Sequence, residues 1–253
     1  MWTPETDISK NLTLWITHEC NMTCEFCRDS AHKGIKGFMS MEDVHKNLHN
    51  AKINGIETIL IGGGEPTLHK DVIEIAKLCK RLNFFTVITT NYTNPDIIKK
   101  LDGICDTINI SVYKENEHLI PNQSDFKSTL CLKTLMYSGR WKDKSDFDNF
   151  IYKYKKKVPN MVFGCMRGHT KWCKNHQEID FYDEIKRESK IVDGSRGNQV
   201  WIYKGTFIDR KDLSSFHKRH MMVDTRGTIY NKDGKLILNN EKILENMNGN
   251  TRV

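Results

Sequence analysis

Three cysteines, in the segment Cys20-Asn-Met-Thr-Cys24-Glu-Phe-Cys27, are the residues of this chain whose types and spacing most clearly indicate chemistry. Gaps of three and two residues allow three thiols to reach three corners of an iron–sulfur cubane from one short loop. The next cysteine along the chain is Cys79, so no fourth thiol lies nearby in the sequence. Ligation by three thiolates would leave one iron of a [4Fe–4S] cluster open to a small molecule.

Other interpretations of these cysteines stay open at this point. A structural zinc site needs four tetrahedral ligands, and only His18 or His32 could complete one here, at awkward spacing. The three thiols could also be unrelated to one another. Disulfides are disfavoured because nothing in the sequence suggests secretion, and cysteines of cytosolic proteins are more often metal-binding or catalytic.

A second motif, Gly62-Gly63-Gly64-Glu65-Pro66, directly follows the apolar segment Ile59-Leu-Ile. Glycines at the end of a strand let a ligand approach the backbone closely. The carboxylate of Glu65 adds a negative charge that suits an ammonium group. The segment does not fit a Walker phosphate loop, because such a loop continues with Lys-Ser/Thr and here proline and threonine follow.

Taken together, the two motifs make the chain resemble the radical S-adenosylmethionine (SAM) superfamily. Phe26, directly before the last cysteine, also fits the family pattern. The resemblance implies that Cys20, Cys24 and Cys27 hold a [4Fe–4S] cluster whose open iron chelates the amino and carboxylate groups of SAM. It further implies that a one-electron donor of the flavodoxin or ferredoxin type reduces the cluster. SAM would then be cleaved to methionine and a 5′-deoxyadenosyl radical, which abstracts hydrogen from a substrate.

The same resemblance implies a set of SAM-binding residues at the ends of successive strands. Gly63, Gly64 and Glu65 would bind the methionyl ammonium, and Asn91 and Ser111 are candidates for the ribose or carboxylate. Against these roles, Asn91 could simply cap a turn and Ser111 could be a strand hydroxyl. The full set predicted to bind the cofactor is Phe26, Gly62, Gly63, Gly64, Glu65, Thr90, Asn91 and Ser111.

The elements that must position these residues follow an α/β pattern. With 253 residues, 38% of them hydrophobic, the chain is long enough for one good core and a small extension. Six β–α units in order predict a parallel sheet with right-handed crossovers, the partial (β/α)6 barrel of the family that the chain resembles. The predicted strands cover 12–17, 58–61, 84–90, 108–112, 130–136 and 160–164. Sites in such sheets gather at the carboxyl ends of the strands.

Helix boundaries are predicted from capping signals. Ser40 with Asp43 predicts the start of one helix, and Pro95 predicts the first position of another. Ser145 with Asp148 predicts a second capping box and with it a third helix start. Cys79 keeps helical spacing with its apolar neighbours and is therefore predicted to be a core residue.

The C-terminal third, residues 165–253, is predicted to be an α+β extension that covers the mouth of a barrel formed by residues 1–164. It contains Cys165-Met-Arg-Gly-His169-Thr-Lys-Trp-Cys173-Lys-Asn-His176, which could bind zinc, hold a second cluster, place a thiol beside the substrate, or be structural. Cys165 and Tyr137 are the candidates for catalytic residues. Strands are expected at 200–204 and in a hairpin over 228–238, with its turn at 231–234.

The net charge of +7 suggests an anionic partner. Lys204, Arg219 and Arg226 are the candidate substrate-binding residues, although clustered basic side chains can equally be a solvated surface. Nucleic acid is a further candidate partner, but the basic runs lack the interleaved aromatic residues of a dedicated nucleic-acid platform.

These observations lead to three hypotheses about function. The first is a radical SAM enzyme that acts on a nucleotide or another anionic small molecule. The second is a radical SAM enzyme that modifies a peptide or protein, as a peptide maturase or a glycyl-radical activase does. The third is a non-catalytic iron–sulfur or zinc protein, which would leave the glycine motif unexplained. The N-terminus has no signal-like apolar stretch and no run has the length of a membrane span, so a cytoplasmic location without membrane association is expected.

Overall fold

The computed structural model describes residues 11–24, 26–27, 36–137, 139–165, 181–193, 199–204, 206–208, 221–223, 229–230 and 236–238. Contacts divide the chain into two compact units. Unit 1 comprises Met1–Asn21, Asp29–Ile88 and His217–Val253, and unit 2 comprises Met22–Arg28 and Thr89–Phe216. The boundary predicted from the sequence, between residues 164 and 165, stays a prediction.

Strands and helices alternate along the first two thirds of the chain. The first six strands are β1 (Asn11–Thr17), β2 (Thr58–Gly63), β3 (Phe85–Thr90), β4 (Thr107–Ser111), β5 (Thr129–Met136) and β6 (Asn160–Cys165). The later strands are β7 (Lys190–Asp193), β8 (Gln199–Tyr203), β9 (Thr206–Ile208), β10 (Met221–Val223), β11 (Ile229–Tyr230) and β12 (Leu236–Leu238). The α-helices are α1 (Met41–Ile53), α2 (Val72–Arg81), α3 (Pro95–Leu101), α4 (Lys144–Tyr154) and α5 (Tyr182–Glu188). The six strands predicted from the sequence are all present, with ends that differ by one or two residues.

The sheet of unit 1 is built around β1. β1 pairs in parallel with β2, and β2 pairs in parallel with β3. Leu12, Leu14 and Ile16 are buried while Thr13 and Trp15 between them are half-buried, which is the alternation expected of a strand. On its other edge β1 pairs in parallel with β10, and β11 and β12 continue this side in antiparallel order. The predicted C-terminal hairpin is therefore present in β11 and β12, while its turn lies outside the described residues.

Two helices of unit 1, α1 and α2, each bury an apolar face. Ser40 Oγ accepts a hydrogen bond of 3.0 Å from the Asp43 amide, which confirms the predicted start of α1. The buried face of α1 includes Val44, Leu48 and Ala51. Cys79 is fully buried on the inner face of α2, as its spacing predicted.

Unit 2 contains two groups of paired strands. β4 pairs in parallel with β5, and β5 with β6. A separate antiparallel sheet has the order β7-β8-β9. The core beside α4 is aromatic, because the Phe147 ring lies 4.7 Å from the Phe163 ring and 5.2 Å from the Trp141 ring. Such ring pairs add to the stabilisation that comes from burying their area.

Two local features of unit 2 differ from the sequence prediction. The N-cap of α4 is Asp143, whose carboxylate accepts from the Asp146 amide at 2.9 Å, so the predicted capping box at Ser145 and Asp148 is wrong. An aspartate two residues earlier competes for the same role, and its extended backbone is the conformation that a cap needs. The connection from β4 to β5 contains two 3-10 helices, Glu117–Leu119 and Gln123–Asp125, in place of an α-helix. Its polar sequence and Pro121 disfavour a longer helix.

No α-helix in the described parts of the chain is both long enough and apolar enough to cross a membrane.

Candidate functional site

The cysteine segment begins three residues after β1 ends. Cys20, Cys24 and Cys27 are all half-buried, so each thiol keeps some access to solvent or a ligand. Among the cysteines whose side chains the structure describes, six are free and none is in a disulfide. The Cys27 amide donates to the Cys24 carbonyl at 3.0 Å, which folds this part of the segment into a turn. The contact division assigns Cys20 to unit 1 and the other two cysteines to unit 2.

The glycine motif in unit 1 closes onto the backbone that leads into the cysteine segment. The Gly64 amide donates to the Thr17 carbonyl at 2.9 Å, and the Glu65 amide donates to the Glu19 carbonyl at 2.8 Å. A Cβ atom at Gly63 would lie 2.1 Å from the Thr17 oxygen, and one at Gly64 would lie 2.1 Å from the Glu19 oxygen. Only glycine fits this approach, because both clashes are with backbone atoms.

Glu65 is buried, with 1% of its surface exposed. Its Oε1 atom accepts from the Thr67 amide at 3.0 Å and from the Thr67 hydroxyl at 2.7 Å. These bonds cap the 3-10 helix Pro66–Leu68 and hold the carboxyl group in one orientation. Glu65 therefore holds its carboxyl group in a fixed position at the carboxyl end of β2.

In unit 2, Phe26 of the cysteine segment packs against two tyrosines. Its ring centroid lies 5.0 Å from that of Tyr113 and 6.3 Å from that of Tyr137. Tyr113 follows the end of β4 and Tyr137 follows the end of β5. The aromatic residue between Cys24 and Cys27 is thus held by the carboxyl ends of two neighbouring parallel strands.

The polar residues at the end of β3 also shape the local backbone. Thr90 Oγ1 accepts from the Tyr92 amide at 3.0 Å, and Asn91 Oδ1 accepts from the Thr93 amide at 3.0 Å and the Thr93 hydroxyl at 2.6 Å. Asn91 therefore caps a turn, which was the alternative to its predicted role in SAM binding. The capping bonds do not test whether Asn91 also binds SAM, so that role stays a prediction.

Asn116 was not singled out from the sequence, yet it joins the ends of β3 and β4. Its Nδ2 atom donates to the Asn91 carbonyl at 2.6 Å and to the Ser111 carbonyl at 2.8 Å. Its Oδ1 atom accepts from the Tyr113 amide at 2.7 Å. A buried asparagine with three backbone partners holds these strand ends in register. Its sequence neighbours are charged, so nothing in the local pattern distinguished it.

The remaining predicted residues are less completely described. Cys165 is the last residue of β6, and residues 166–180, with the predicted metal-binding candidates, lie outside the described part. Arg219 and Arg226 also lie outside it. Lys204 donates to Asp148 Oδ2 at 2.6 Å, so the structure places it in an ion pair.

No group of three or more His, Cys, Asp or Glu side chains within the described ranges is arranged to hold a metal ion. A cubane separates its thiolates more widely than a single tetrahedral ion does. Three half-buried thiols on one short segment are chemically suited to such a cluster.

The family model of the radical SAM superfamily matches residues 16–170, more than half of the chain. The chain therefore belongs to this superfamily, whose members are enzymes that bind SAM and an iron–sulfur cluster. The matched segment contains the three cysteines of the cysteine segment, the glycine motif, the last two residues of β1 and the whole of β2 to β6.

Two curated relatives are similar over part of the chain. A candidate glycyl-radical enzyme activating enzyme of Methanocaldococcus jannaschii is 31% identical over 141 residues, which are 55% of this chain and 54% of the relative. A candidate GTP 3′,8-cyclase of Saccharolobus islandicus is 36% identical over 110 residues, 41% of this chain and 35% of the relative. The matched segment thus spans about half, or less, of the length of these relatives.

Among solved structures, Streptococcus suis SuiB bound to its precursor peptide SuiA matches with a TM-score of 0.60 at 15% identity. The match covers 88% of this chain and 59% of SuiB. The same protein bound to S-adenosylmethionine matches with a TM-score of 0.59. At this identity the likeness concerns the fold, and it confirms the predicted α/β class with a partial (β/α)6 barrel.

Proposed function

We propose that this protein is a radical SAM enzyme in which Cys20, Cys24 and Cys27 hold a [4Fe–4S] cluster. The observation that carries the proposal is the spacing of these three half-buried thiols, directly after β1 and within the segment that matches the family model. When bound, the cluster and SAM would supply a 5′-deoxyadenosyl radical that abstracts hydrogen from a substrate.

The residues of the chain would bind SAM and orient it. The fixed carboxylate of Glu65 suits the methionyl ammonium, and the carbonyl groups of Gly63 and Gly64 are candidate partners for the same group. Phe26, held by two tyrosines, would limit the position of SAM beside the cysteine segment. Thr90, Asn91 and Ser111 stay candidates for the ribose or carboxylate. Burying SAM among these groups would exclude water from the radical.

The substrate that we favour is a nucleotide or another anionic small molecule. The net charge of +7 supports an anionic substrate, and one relative is named as a candidate GTP cyclase. The extension over residues 165–253 would select this substrate. Cys165 or Tyr137 would lie near the reacting atoms, and Arg219 and Arg226 would bind the negative charge of the substrate. A flavodoxin or ferredoxin would supply the electron.

A peptide or protein substrate is the second candidate. The observation that favours it is the match to a protein named as a candidate activator of a glycyl-radical enzyme, which covers 55% of this chain. Screening nucleotides and peptides for stimulation of 5′-deoxyadenosine release distinguishes the two candidates, because a substrate accelerates SAM cleavage and a bystander does not.

The test of the cofactor proposal is anaerobic reconstitution of the wild type and Cys24→Ala with iron, sulfide and reductant. We expect about four iron atoms per chain in the wild type, with release of 5′-deoxyadenosine from SAM. In Cys24→Ala, iron content and SAM cleavage should both be lost, because two thiolates cannot retain the cluster.

Cys131→Ala is the matched control, since Cys131 is a buried thiol of β5 outside the cysteine segment. It should keep wild-type iron content and SAM cleavage. Release of 5′-deoxyadenosine by Cys24→Ala at the wild-type rate would show that the ligands are assigned wrongly.

A further inference from the structure

Unit 2 contains a cavity of about 490 Å³ that the proposed radical chemistry does not use. One wall is the connection that follows β4, with Lys114, Glu117 and His118. The opposite wall is formed by Arg140, after β5, and by Lys153 and Tyr154 of α4. The lack of an α-helix between β4 and β5 leaves this wall polar and open to solvent.

Arg140 is the most unusual residue of the cavity, because only 7% of its surface is exposed. Its guanidinium lies 4.4 Å from the Trp141 ring and 5.4 Å from the Phe150 ring, so stacking fixes its plane. One terminal nitrogen donates to Glu117 Oε2 at 2.9 Å. The buried Nε–H has no hydrogen-bond partner among the residues that the structure describes. A buried donor without a partner is costly. Because Nε itself is closed off from solvent, an anion in the cavity would meet the terminal nitrogens of Arg140, which lines it.

The charges around Arg140 favour an anion despite the presence of Glu117. Glu117 Oε1 already accepts from Tyr154 at 2.8 Å and from Lys153 at 3.3 Å. Its carboxylate is therefore neutralised from several sides. With Asp146 included and His118 counted as neutral, the lining has three cations and two carboxylates, a surplus of one positive charge. Lys114 is exposed at the rim, where it can contact a ligand directly.

The geometry points to a binding site for the phosphate ester of a small organic molecule in this cavity. Arginine offers several N–H donors in one plane, which match the oxygens of a phosphate group, and lysines add mobile positive charges. A volume of about 490 Å³ lies in the range of small-molecule sites, and inorganic phosphate would leave most of it empty. A mononucleotide or a sugar phosphate fits both the charge and the size.

Titration calorimetry on the cluster-loaded full chain tests this proposal, with SAM present and no reductant. Uridine monophosphate is the probe, because it lacks the adenine that could compete for the SAM site, and uridine and inorganic phosphate are the comparison ligands. We expect the nucleotide to bind at least about tenfold more tightly than either. The double variant Lys114→Ala/Lys153→Ala should weaken binding of the nucleotide about tenfold, because two donors are lost.

The variant Glu117→Gln should change the affinity for the nucleotide in the opposite direction. Its single amide oxygen can still accept from Tyr154 and Lys153, whereas Arg140 loses its acceptor and a negative charge is removed, so binding of the nucleotide should tighten about threefold. Lys46→Ala/Lys77→Ala is the matched control, since it removes the same charge from exposed helix positions outside the cavity and should leave binding unchanged.

Equal binding of uridine and the nucleotide would overturn the proposal, as would an unchanged dissociation constant in Lys114→Ala/Lys153→Ala. Inorganic phosphate binding as tightly as the nucleotide would overturn the assignment of an ester. Because SAM cleavage is not measured, failure here leaves the proposed radical chemistry untouched.

Discussion

Three successive glycines at the end of β2 have different roles. A Cβ atom at Gly62 would make ordinary contacts of 3.9 Å with the side chains of Thr13 and Trp15. At Gly63 and Gly64 the same atom would meet backbone oxygens at 2.1 Å, and Gly63 also has a φ of +130°. The close approach thus depends on the second and third glycines.

We therefore expect Gly63→Ala and Gly64→Ala each to lower the free energy of unfolding by at least about 2 kcal/mol, because backbone must move to admit the methyl group. Urea denaturation of the purified chain measures the loss. Gly62→Ala is the control and should change stability by less than about 1 kcal/mol. Equal stability of all three variants would contradict the role assigned to the close approach.

The strand ends of unit 2 are joined by one side chain and not by the sheet alone. Asn116 connects the carbonyl groups of Asn91 and Ser111 to the amide of Tyr113, whose ring contacts Phe26. The arrangement of β3 and β4 near the cysteine segment therefore depends on an amide that can donate and accept at once.

Replacing Asn116 by Ala should lower the free energy of unfolding by about 2–4 kcal/mol, because buried backbone groups lose their partners. Asn116→Asp keeps the acceptor for Tyr113 but turns a negative oxygen toward two carbonyl groups. Amide hydrogen exchange separates the two variants: the Tyr113 amide should exchange faster in Asn116→Ala than in Asn116→Asp. Asn122→Ala, in the same connection, is the control. Unchanged exchange at Tyr113 in Asn116→Ala would refute this role.

The stability of the molecule should depend on pH through an ion-pair network that links α4, α5 and β8. Asp148 accepts from Lys204 at 2.6 Å and from Tyr203 at 2.7 Å, and Lys144 bridges Asp148 and Glu188. Burial opposes ionisation of Asp148, but the hydrogen bonds from Lys204 and Tyr203 outweigh it and hold its pKa below the ordinary value. The ionised carboxylate therefore stabilises the folded state.

Because the folded pKa is below the unfolded one, this stabilisation is complete above about pH 4–5 and is lost as the pH falls through the folded pKa. Asp148→Asn should lower the free energy of unfolding by about 2 kcal/mol at pH 7. Its difference from the wild type should shrink below about pH 4. Urea denaturation at several pH values measures the loss of stability at pH 7 and the smaller difference at acid pH. The exposed Asp96→Asn is the control, and a difference that stays constant down to pH 3 would contradict the assignment.

Much of the fold could be predicted because it depends on local sequence. Alternating apolar residues predict β1, and the helical spacing of the residues around Cys79 predicts the buried face of α2, since burial repeats with the period of each element. Ser40 and Pro95 predict helix starts because a cap needs only its neighbours in the chain. The prediction at Ser145 failed because Asp143 offers a competing cap, and sequence alone does not rank two caps.

The chemistry proposed for the cysteine segment could be inferred from residue type and spacing, because three thiols within eight residues stay close to one another along the chain. The glycine motif could likewise be recognised, but its close contact with Thr17 and Glu19 could not, since those partners are remote in sequence. The roles of Asn116 and Arg140 could be recognised only from their burial and from the partners that the folded backbone brings to them. Short-range patterns can be identified from the order of the residues. Hydrogen-bond partners and cavities depend on distances between residues remote in sequence, which are set only when the chain packs.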